Sequence, residues 1–178
     1  MADTAVPQEI LGRLDAAQDL TEVGLVVRTA ARALTGAKGA TFVLRDGEHC
    51  FYADEDAIAP LWKGQRFPMT ACISGWAMMN SETAVVPDIE ADARIPLEAY
   101  RPTFVRSLAM APVGTPAPVA AIGAYWSVPR TPHADEVARL EALAAAAGEA
   151  IARIGLEDAP WAPSFAVDDS GSAGQISV

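Results

Sequence analysis

The sequence has few of the residues on which metal sites and catalytic sites depend. Its 178 residues include only two cysteines and two histidines, namely Cys50, Cys72, His49 and His133. Two cysteines do not form a disulfide framework, and these four residues do not have the spacing of a zinc site. No glycine-rich, phosphate-binding loop precedes a predicted helix. The sequence therefore predicts no metal site, requires no cofactor and favours a protein that is not an enzyme.

Basic residues are scarce too. Thirteen Lys and Arg face 23 Asp and Glu, which gives a net charge of −10. Because nucleic acids and anionic membranes repel an acidic surface, we expect neither as a partner. No apolar run reaches the ~18 residues of a membrane span, and residues 1–8 lack the apolar core of a signal peptide. With two unpaired cysteines, these features predict a cytoplasmic protein.

The length suits one domain with extensions. We expect an N-terminal helical segment over 1–20, the main domain over 21–154 and an acidic, flexible tail over 155–178. The tail prediction depends on composition, since residues 156–178 contain no Lys or Arg and several Pro, Gly and Ser. Such segments bury too little apolar surface to fold.

Capping signals delimit the predicted helices. Asp19 and Glu22 have the spacing of a capping box, and Gly36 is the expected stop because glycine tolerates the left-handed closing conformation. Thr70 is the candidate N-cap of a helix over 71–80. The last helix, about 133–154, has an apolar seam of roughly three heptads. This seam packs either on its own domain or against a second subunit, so a homodimer through the terminal helices is expected.

Strands are predicted at 40–44, 48–53, 83–86, 107–113 and 119–127, and Asp46-Gly47 is a strong hairpin signal between the first two. The order of elements predicts an α+β fold with a central antiparallel sheet of five to six strands. The N- and C-terminal helices would pack on one face of the sheet. Residues 54–106, predicted to be mostly irregular, would cover the other face, and long loops of this kind are usually functional or disordered.

Three motifs carry a resemblance to a known family. They are Thr-Gly-Ala-Lys-Gly-Ala-Thr at 35–41, Ile-Ser-Gly-Trp-Ala at 73–77 followed by residues 82–88, and residues 106–113 leading to Gly-Ala-Tyr-Trp at 123–126. With this order of elements, residues 21–154 resemble a GAF domain, particularly those of bacterial sensor histidine kinases and related signalling proteins. The resemblance implies a GAF/PAS-like fold and a regulatory domain in bacterial signal transduction. It implies either sensing of a small molecule, whose identity stays unknown, or dimerisation, with a histidine kinase or another signalling protein as partner.

In GAF domains the ligand pocket lies between the sheet and its cover. The aromatic residues of the cover and of the central strands are candidates for this pocket, and so are the charged residues near them. Core packing is the simpler role for the aromatic residues, and a salt bridge to Asp88 or Asp92 is the simpler role for Arg94. The candidate ligand-binding residues are Trp62, Phe67, Cys72, Trp76, Asp88, Arg94, Tyr100, Phe104, Arg106 and Tyr125.

A bilin-binding photosensory domain is one alternative. Residues 88–94 have the spacing of the phytochrome Asp-Ile-Pro-x-x-Ala-Arg signature, but Glu90 replaces its proline. Neither His49 nor His133 falls in the stretch after Arg94 that would line a bilin pocket.

A redox enzyme is the other alternative, because some small GAF proteins resemble free methionine sulfoxide reductases. Cys72 is near a predicted helix N-terminus, where the helix dipole lowers a thiol pKa. Its thiolate could attack a sulfoxide, and Cys50 could resolve the resulting sulfenate if the fold brings it close. The simpler reading is that both cysteines are small buried apolar residues.

Overall fold

The Asp46-Gly47 turn joins the first two strands of a six-stranded antiparallel sheet in the computed structural model, which describes residues 3–156. Gly47 has a φ of 61°, which glycine adopts without strain. The sheet has the order β3-β2-β1-β6-β5-β4. The strands are β1 (Gly39–Asp46), β2 (His49–Ala57), β3 (Arg66–Pro68), β4 (Ala84–Val86), β5 (Ser107–Val113) and β6 (Ala120–Trp126).

Three helices cover one face of this sheet: α1 (Gln8–Ala16), α2 (Leu20–Thr35) and α5 (Ala134–Ile154). Asp19 caps α2, since its Oδ1 accepts the backbone N–H of Glu22 at 2.9 Å. The carboxylate of Glu22 accepts the N–H of Gln18 rather than that of Asp19. Gly36 ends α2 in the left-handed conformation, at φ 68°. The helix limits predicted from Asp19 and Gly36 are confirmed.

The seam of α5 packs inside its own subunit. Its central residues are buried, its two end residues are partly buried, and the helix contacts α2, β5 and β6. The seam is therefore not free for a second subunit, and a dimer contact through the terminal helices has to use their other faces. The seam consists of Val137, Leu140, Ala144, Ala147, Ile151 and Ile154.

The other face of the sheet is covered by α3 (Ile73–Asn80), α4 (Leu97–Tyr100) and the segments around them. The α+β class, the antiparallel sheet and the two differently covered faces agree with the prediction. None of the helices within residues 3–156 has both the length and the apolar character needed to cross a membrane. Of the predicted tail at 155–178, residues 157–178 lie outside the part of the chain that the structure describes.

Strand β3 was not among the predicted strands. Residues 54–67 are predicted as a loop, whereas β2 continues to Ala57 and Arg66–Pro68 pairs with it, Cys50 opposite Phe67. Strand β3 has no β-branched residue and ends in proline, whereas the equally short β4 contains two valines, which are typical of strands.

The predicted N-cap at Thr70 is wrong. Met69–Ala71 forms a separate 3-10 turn, and Cys72, with φ −147° and ψ 157°, is the N-cap residue of α3. The carbonyl of Cys72 accepts the first helical hydrogen bond, from the N–H of Trp76 at 3.1 Å. Thr70 is exposed in the 3-10 turn, so its hydroxyl lies too early in the chain to cap the helix.

Candidate functional site

Five aromatic side chains fill the space between the sheet and its cover, which we call the aromatic chamber. Trp62 lies at its centre, with ring centroids 5.6 Å from Tyr52, 4.7 Å from Tyr100 and 5.5 Å from Tyr125. Phe67 packs edge-on against Tyr52 at 5.5 Å. Tilted and edge-on contacts at such distances are the favoured arrangements of aromatic pairs. The chamber is therefore a well-packed aromatic layer.

A void of about 10 Å³ remains beside this layer. That volume is close to the minimum of about 10–15 Å³ that one water molecule needs. In this conformation the chamber is thus filled by its own side chains, and a ligand larger than water enters only if the cover moves. The residues that border the void are Tyr52, Trp62, Phe67, Cys72, Pro96, Ala99 and Tyr100.

The three tyrosine hydroxyls of the chamber differ in their partners. Tyr125 Oη lies 2.8 Å from Thr41 Oγ1, and Tyr52 Oη lies 3.2 Å from Ser74 Oγ. Tyr100 Oη is buried and has no hydrogen-bond partner within residues 3–156. Burial raises the pKa of all three phenols, so they stay neutral hydrogen-bonding groups. Tyr100 therefore differs from the other two in having a hydroxyl with no partner among the described residues.

Glu55 fixes the turn that carries Trp62. Its carboxylate accepts the backbone N–H groups of Leu61, Trp62 and Lys63 at 2.8, 2.9 and 2.8 Å. The indole N–H of Trp62 donates to the carbonyl of Ala99 at 3.0 Å. The β1–β2 register shifts between Phe42 and Val43. Because a bulge reverses the alternation of faces, Glu55 points to the cover side.

Three sulfur atoms meet at the edge of the chamber, and we call them the sulfur cluster. Cys50 comes from β2, Met69 from the 3-10 turn and Cys72 from the N-cap of α3. Cys50 Sγ lies 3.2 Å from Met69 Sδ, and the Cys50 and Cys72 thiols interact strongly enough to shift each other's pKa. Cys72 Sγ lies 3.4 Å from Ser74 Oγ, which also interacts with Cys50.

These contacts separate the acidities of the two thiols. Hydrogen bonds from the Cys50 thiol, from the Ser74 hydroxyl and from the backbone N–H groups of Gly75 and Ser74 lower the pKa of Cys72 to about 7, although burial opposes the shift. The neighbouring Cys72 and burial raise the pKa of Cys50. Near neutral pH, Cys72 is therefore partly a thiolate, while Cys50 remains a protonated donor.

The ten candidate residues separate into two groups. Trp62, Phe67, Cys72 and Tyr100 border the void, and Tyr125 packs behind Trp62. The other five do not border the void. Four of them have partners in their own segment or on the outer side of α3, and Phe104 packs at the rim of the chamber. These five residues are Trp76, Asp88, Arg94, Phe104 and Arg106.

Arg94 fastens the cover segment to α3. Its Nε donates to Asp92 Oδ1 at 3.0 Å and its NH2 to Asp92 Oδ2 at 2.7 Å. Its guanidinium lies 4.3 Å from the ring centroid of Trp76. The ion pair lowers the pKa of Asp92 and raises that of Arg94. Both Arg94 and Trp76 thus have partners outside the chamber, and the partner of Arg94 is one of the two aspartates named from the sequence.

Asp88, Arg106 and Phe104 are likewise engaged in local structure. Asp88 Oδ1 accepts the N–H of Glu90 at 3.0 Å and caps a 3-10 turn. Arg106 donates to the carbonyls of residues 103 and 105, at 3.1 and 2.7 Å. Phe104 packs at the rim beside Gly39, where a β-carbon would come within 2.9 Å of its ring.

Several chamber residues were not among the candidates: Cys50, Tyr52, Glu55 and Ser74. Cys50 and Tyr52 are two apart in a predicted strand, and period-two alternation places them on one face; this signal was present in the sequence. The position of Glu55 depends on the bulge, and that of Ser74 on the real start of α3. Neither was visible in the sequence.

A larger groove of about 490 Å³ lies on the helix side, between α5 and the turn at 114–119. Its lining is mostly Gly, Ala and aliphatic side chains, and Glu149 is its one titratable residue. Within residues 3–156, no three His, Cys, Asp or Glu side chains are grouped so that they could hold a metal ion. The chamber and the sulfur cluster are therefore the candidate site.

Comparison with known proteins agrees with this architecture. The structure resembles free methionine-R-sulfoxide reductase from Neisseria meningitidis, solved with its substrate (TM-score 0.71, 16% identity, covering 83% of this chain and 86% of that one). It resembles the chromophore-binding domain of an unusual bacteriophytochrome from R. palustris (TM-score 0.69, 14% identity, covering 83% of this chain and 59% of that one). It also resembles a domain of a putative two-component sensor histidine kinase protein from Sinorhizobium meliloti (TM-score 0.60, 13% identity, covering 78% of this chain and 94% of that one).

At these identities the likeness concerns the fold alone. No curated protein matches the sequence significantly. A family model described as GAF domain matches residues 17–152, which is most of the chain and includes the sheet, α2, nearly all of α5 and the chamber. By this match and by its fold, the chain belongs to the GAF domain family.

Proposed function

We propose that this chain is a regulatory domain that senses a small molecule at the aromatic chamber. The observation that carries the proposal is the hydroxyl of Tyr100, which is buried beside the void and has no hydrogen-bond partner. An unsatisfied buried polar group costs about 1–3 kcal/mol, and such groups are rare in native proteins. A bound small molecule with a polar group would supply the missing partner.

The size of the void defines how sensing would work. Since the void holds about one water molecule at most, a ligand must displace part of the cover. Tyr100 and Ala99 lie in the four-residue helix α4, and Pro96 precedes it. Asp88 and the Asp92–Arg94 pair hold the start of this segment. We propose that α4 is the part that shifts and that this shift is the signal.

The proposed output is a change in a dimer. The seam of α5 is buried within the subunit, so the exposed face of α2 is the better surface, and Leu25 on it is 42% exposed. A homodimer through these helices would pass the shift to a histidine kinase or another signalling partner in the cytoplasm. Light scattering of the purified chain tests for the dimer.

Ligand-dependent stabilisation tests the sensing proposal. A panel of nucleotides, haem, biliverdin and amino-acid derivatives is screened for a rise in Tm, because a ligand that binds only the native state stabilises it. Native mass spectrometry then identifies the bound species. Tyr100→Phe should abolish the shift, whereas Phe104→Leu at the rim should retain it. If no compound raises the Tm of the wild type, or if Tyr100→Phe responds equally, the proposal fails.

The bilin alternative gains no support from the geometry. Asp88 caps a turn and Arg94 pairs with Asp92, so neither residue of the phytochrome-like signature faces the chamber. The chain's similarity to a bacteriophytochrome is a similarity of fold.

Methionine sulfoxide reduction is a second candidate, favoured by the contact between Cys50 and Cys72 and by the low pKa of Cys72. The Cys72 thiolate would attack the sulfoxide sulfur and, with one proton, take over its oxygen, which leaves a thioether and a Cys72 sulfenic acid. The Cys50 thiol would then form a disulfide with Cys72 and release water. An external dithiol would supply the two electrons that restore both thiols.

Turnover tests this second candidate. Purified protein is incubated with free methionine-R-sulfoxide and dithiothreitol, and methionine is quantified. Loss of turnover in Cys72→Ser, together with a sulfenic acid that dimedone traps in Cys50→Ser after reaction without dithiothreitol, would support the reaction. No turnover in the wild type, or unchanged turnover in Cys72→Ser, would rule it out and leave the sensing proposal untouched.

A further inference from the structure

The sulfur cluster gathers side chains from three separate elements in one buried place. Cys50, Met69 and Cys72 are 0%, 4% and 6% exposed. Cys50 Sγ and Met69 Sδ are 3.2 Å apart, and Cys72 belongs to the same buried cluster and interacts with the Cys50 thiol. Ser74 Oγ adjoins both thiols. Two thiols and one thioether therefore converge at the entrance of α3.

This donor set is selective by its chemistry. Soft thiolate and thioether ligands favour Cu(I) among the first-row metals. Structural zinc sites take four ligands, almost always Cys, His or carboxylate, and within residues 3–156 no such group of three or more exists. His49 adjoins Cys50 in β2, but successive residues of a strand point to opposite faces. The cluster therefore suits a soft ion of low coordination number.

We propose that Cys50, Cys72 and Met69 form a three-coordinate binding site for one Cu(I) ion. Binding replaces the protons of both thiols, so that one Cu(I), two thiols and one thioether give a complex of net charge −1 and two released protons. The N–H groups of Ser74 and Gly75, which already bond to Cys72, and the N-terminus of α3 offset this charge.

The separation of the Cys50 and Met69 sulfurs is close to what the ion requires. A metal–thiolate bond of about 2.3 Å, as in zinc sites, places three sulfurs about 4 Å apart around a trigonal ion. The Cys50–Met69 separation of 3.2 Å would thus widen by less than about 1 Å, which the flexible side chain of Met69 can absorb. The backbones stay fixed, because α3 packs at Gly75 directly on the backbone of Met69.

The copper site is independent of the proposed sensing function. It uses none of the hydroxyls on which ligand sensing depends, and Tyr100 does not take part. Failure of one proposal therefore leaves the other standing, and the Tyr100→Phe variant should bind Cu(I) as the wild type does.

An anaerobic titration tests the site. Fully reduced protein competes with the chromophoric chelator bathocuproine disulfonate for Cu(I), and the wild type is expected to bind one equivalent. Cys50→Ser and Cys72→Ser should each lose more than the tenfold to hundredfold in affinity that is typical of outer-shell changes, and Met69→Leu about tenfold. Met79→Leu, on the exposed side of α3, is the control and should bind as the wild type does.

A second measurement keeps the test independent of how well the variants fold. X-ray absorption of the copper-loaded wild type should show three sulfur neighbours and no nitrogen or oxygen ligand. The proposal is overturned if the wild type takes up no Cu(I), if Met69→Leu binds as tightly as the wild type, or if only two sulfur neighbours are found. Equal binding by the Cys50→Ser/Cys72→Ser double variant also overturns it.

Discussion

Gly75 lies against the backbone of Met69 so closely that a β-carbon on Gly75 would overlap the Met69 carbonyl oxygen. This contact seats the first turn of α3 on the preceding 3-10 turn. It fixes the place of Cys72, the N-cap of α3, relative to Met69. Cys72 thereby meets Cys50 on the neighbouring strand, although 21 residues separate the two in sequence. One glycine thus determines the geometry of the sulfur cluster.

Gly75→Ala should be strongly destabilising. The overlap is with backbone, which cannot move as a flexible side chain does, and overpacking of this kind costs about 1–3 kcal/mol. Gly12→Ala is the control, because Gly12 lies in exposed helix α1 with nothing within 4 Å of an added β-carbon; it should add about 0.5–1 kcal/mol. Urea denaturation measures both. Equal stabilities of the two variants would contradict the role given to Gly75.

The acidity of Cys72 should depend on a donor at position 50. Cys50→Ala removes the hydrogen bond that contributes most to the lowered pKa, so the pKa of Cys72 should rise from about 7 toward 9. Cys50→Ser retains a hydroxyl donor and should keep the pKa low. Thiolate absorbance followed over pH 5–11 measures the pKa of Cys72 in both variants, and a shift of one pKa unit corresponds to about 1.4 kcal/mol. Equal values in the two variants would exclude hydrogen bonding as the cause.

The same shift makes stability depend on pH. The pKa of Cys72 is lower in the folded state, about 7, than its ordinary value of 9.0. Its contribution is therefore complete above pH 9 and is lost as the pH falls through 7. Between these values the unfolding free energy of the wild type should rise by about 2 kcal/mol relative to Cys72→Ser. Parallel pH profiles of the two proteins, from urea denaturation, would contradict this.

Tyrosine-to-phenylalanine changes should act in opposite directions in one chamber. Tyr100→Phe removes an unpaired buried hydroxyl and should raise stability by about 1 kcal/mol. Tyr125→Phe removes the 2.8 Å bond to Thr41 and should lower it by about 1–2 kcal/mol. Thermal unfolding without added ligand measures both. A loss of stability in Tyr100→Phe would show that its hydroxyl already has a partner.

Glu55→Gln should loosen the turn that carries Trp62. The carboxylate accepts three backbone N–H groups, and a neutral amide has only one oxygen to accept them. A loss of about 2 kcal/mol is expected, with increased quenching of tryptophan fluorescence by acrylamide. Glu149→Gln on the exposed side of α5 makes the same chemical change without this loss. Unaltered quenching in Glu55→Gln would contradict the role of the Glu55 carboxylate in holding this turn.

A dimer through the exposed face of α2 should be sensitive to charge at Leu25. Leu25→Glu would place a charge in the proposed contact and should convert a dimer into monomers, measured by light scattering. Met79→Glu is the control, because Met79 is 49% exposed but lies on α3, which covers the other face of the sheet. A wild type that is monomeric at all concentrations would end the dimer proposal, and so would dissociation by both variants.

Elements with local signals could be predicted from the sequence. Asp19 and Gly36 set the limits of α2, and Asp46-Gly47 set the first hairpin, because capping and tight turns depend on residues a few positions apart. The order of elements also predicted that the terminal helices cover one face of the sheet and that residues 54–106 cover the other. Strand β3 could not be predicted, because Arg66–Pro68 ends in proline and lacks the β-branched residues that indicated the equally short β4. The N-cap predicted at Thr70 was wrong, because Thr70 lies in a 3-10 turn whose formation depends on packing against Gly75.

The site was predictable only in part. Aromatic residues of the cover and of β6 indicated where a chamber lies, and Trp62, Phe67, Cys72 and Tyr100 do border its void. Asp88, Arg94 and Arg106 looked equally suitable as ligand contacts, but each has a partner in its own segment. A sequence shows which groups could form hydrogen bonds with a ligand. Only the fold decides which of these groups already have a partner within the protein.

The sequence by itself determined the fold class, the limits of the main helices and the scarcity of metal ligands of the usual kinds. The tertiary structure alone decided that Cys50 reaches Cys72 and Met69, that Glu55 holds the Trp62 turn, and that the Tyr100 hydroxyl has no partner. The physical reason is range. Helix caps and turns depend on neighbours in the chain, but acidity, void volume and hydrogen-bond satisfaction depend on groups that packing brings together from distant segments.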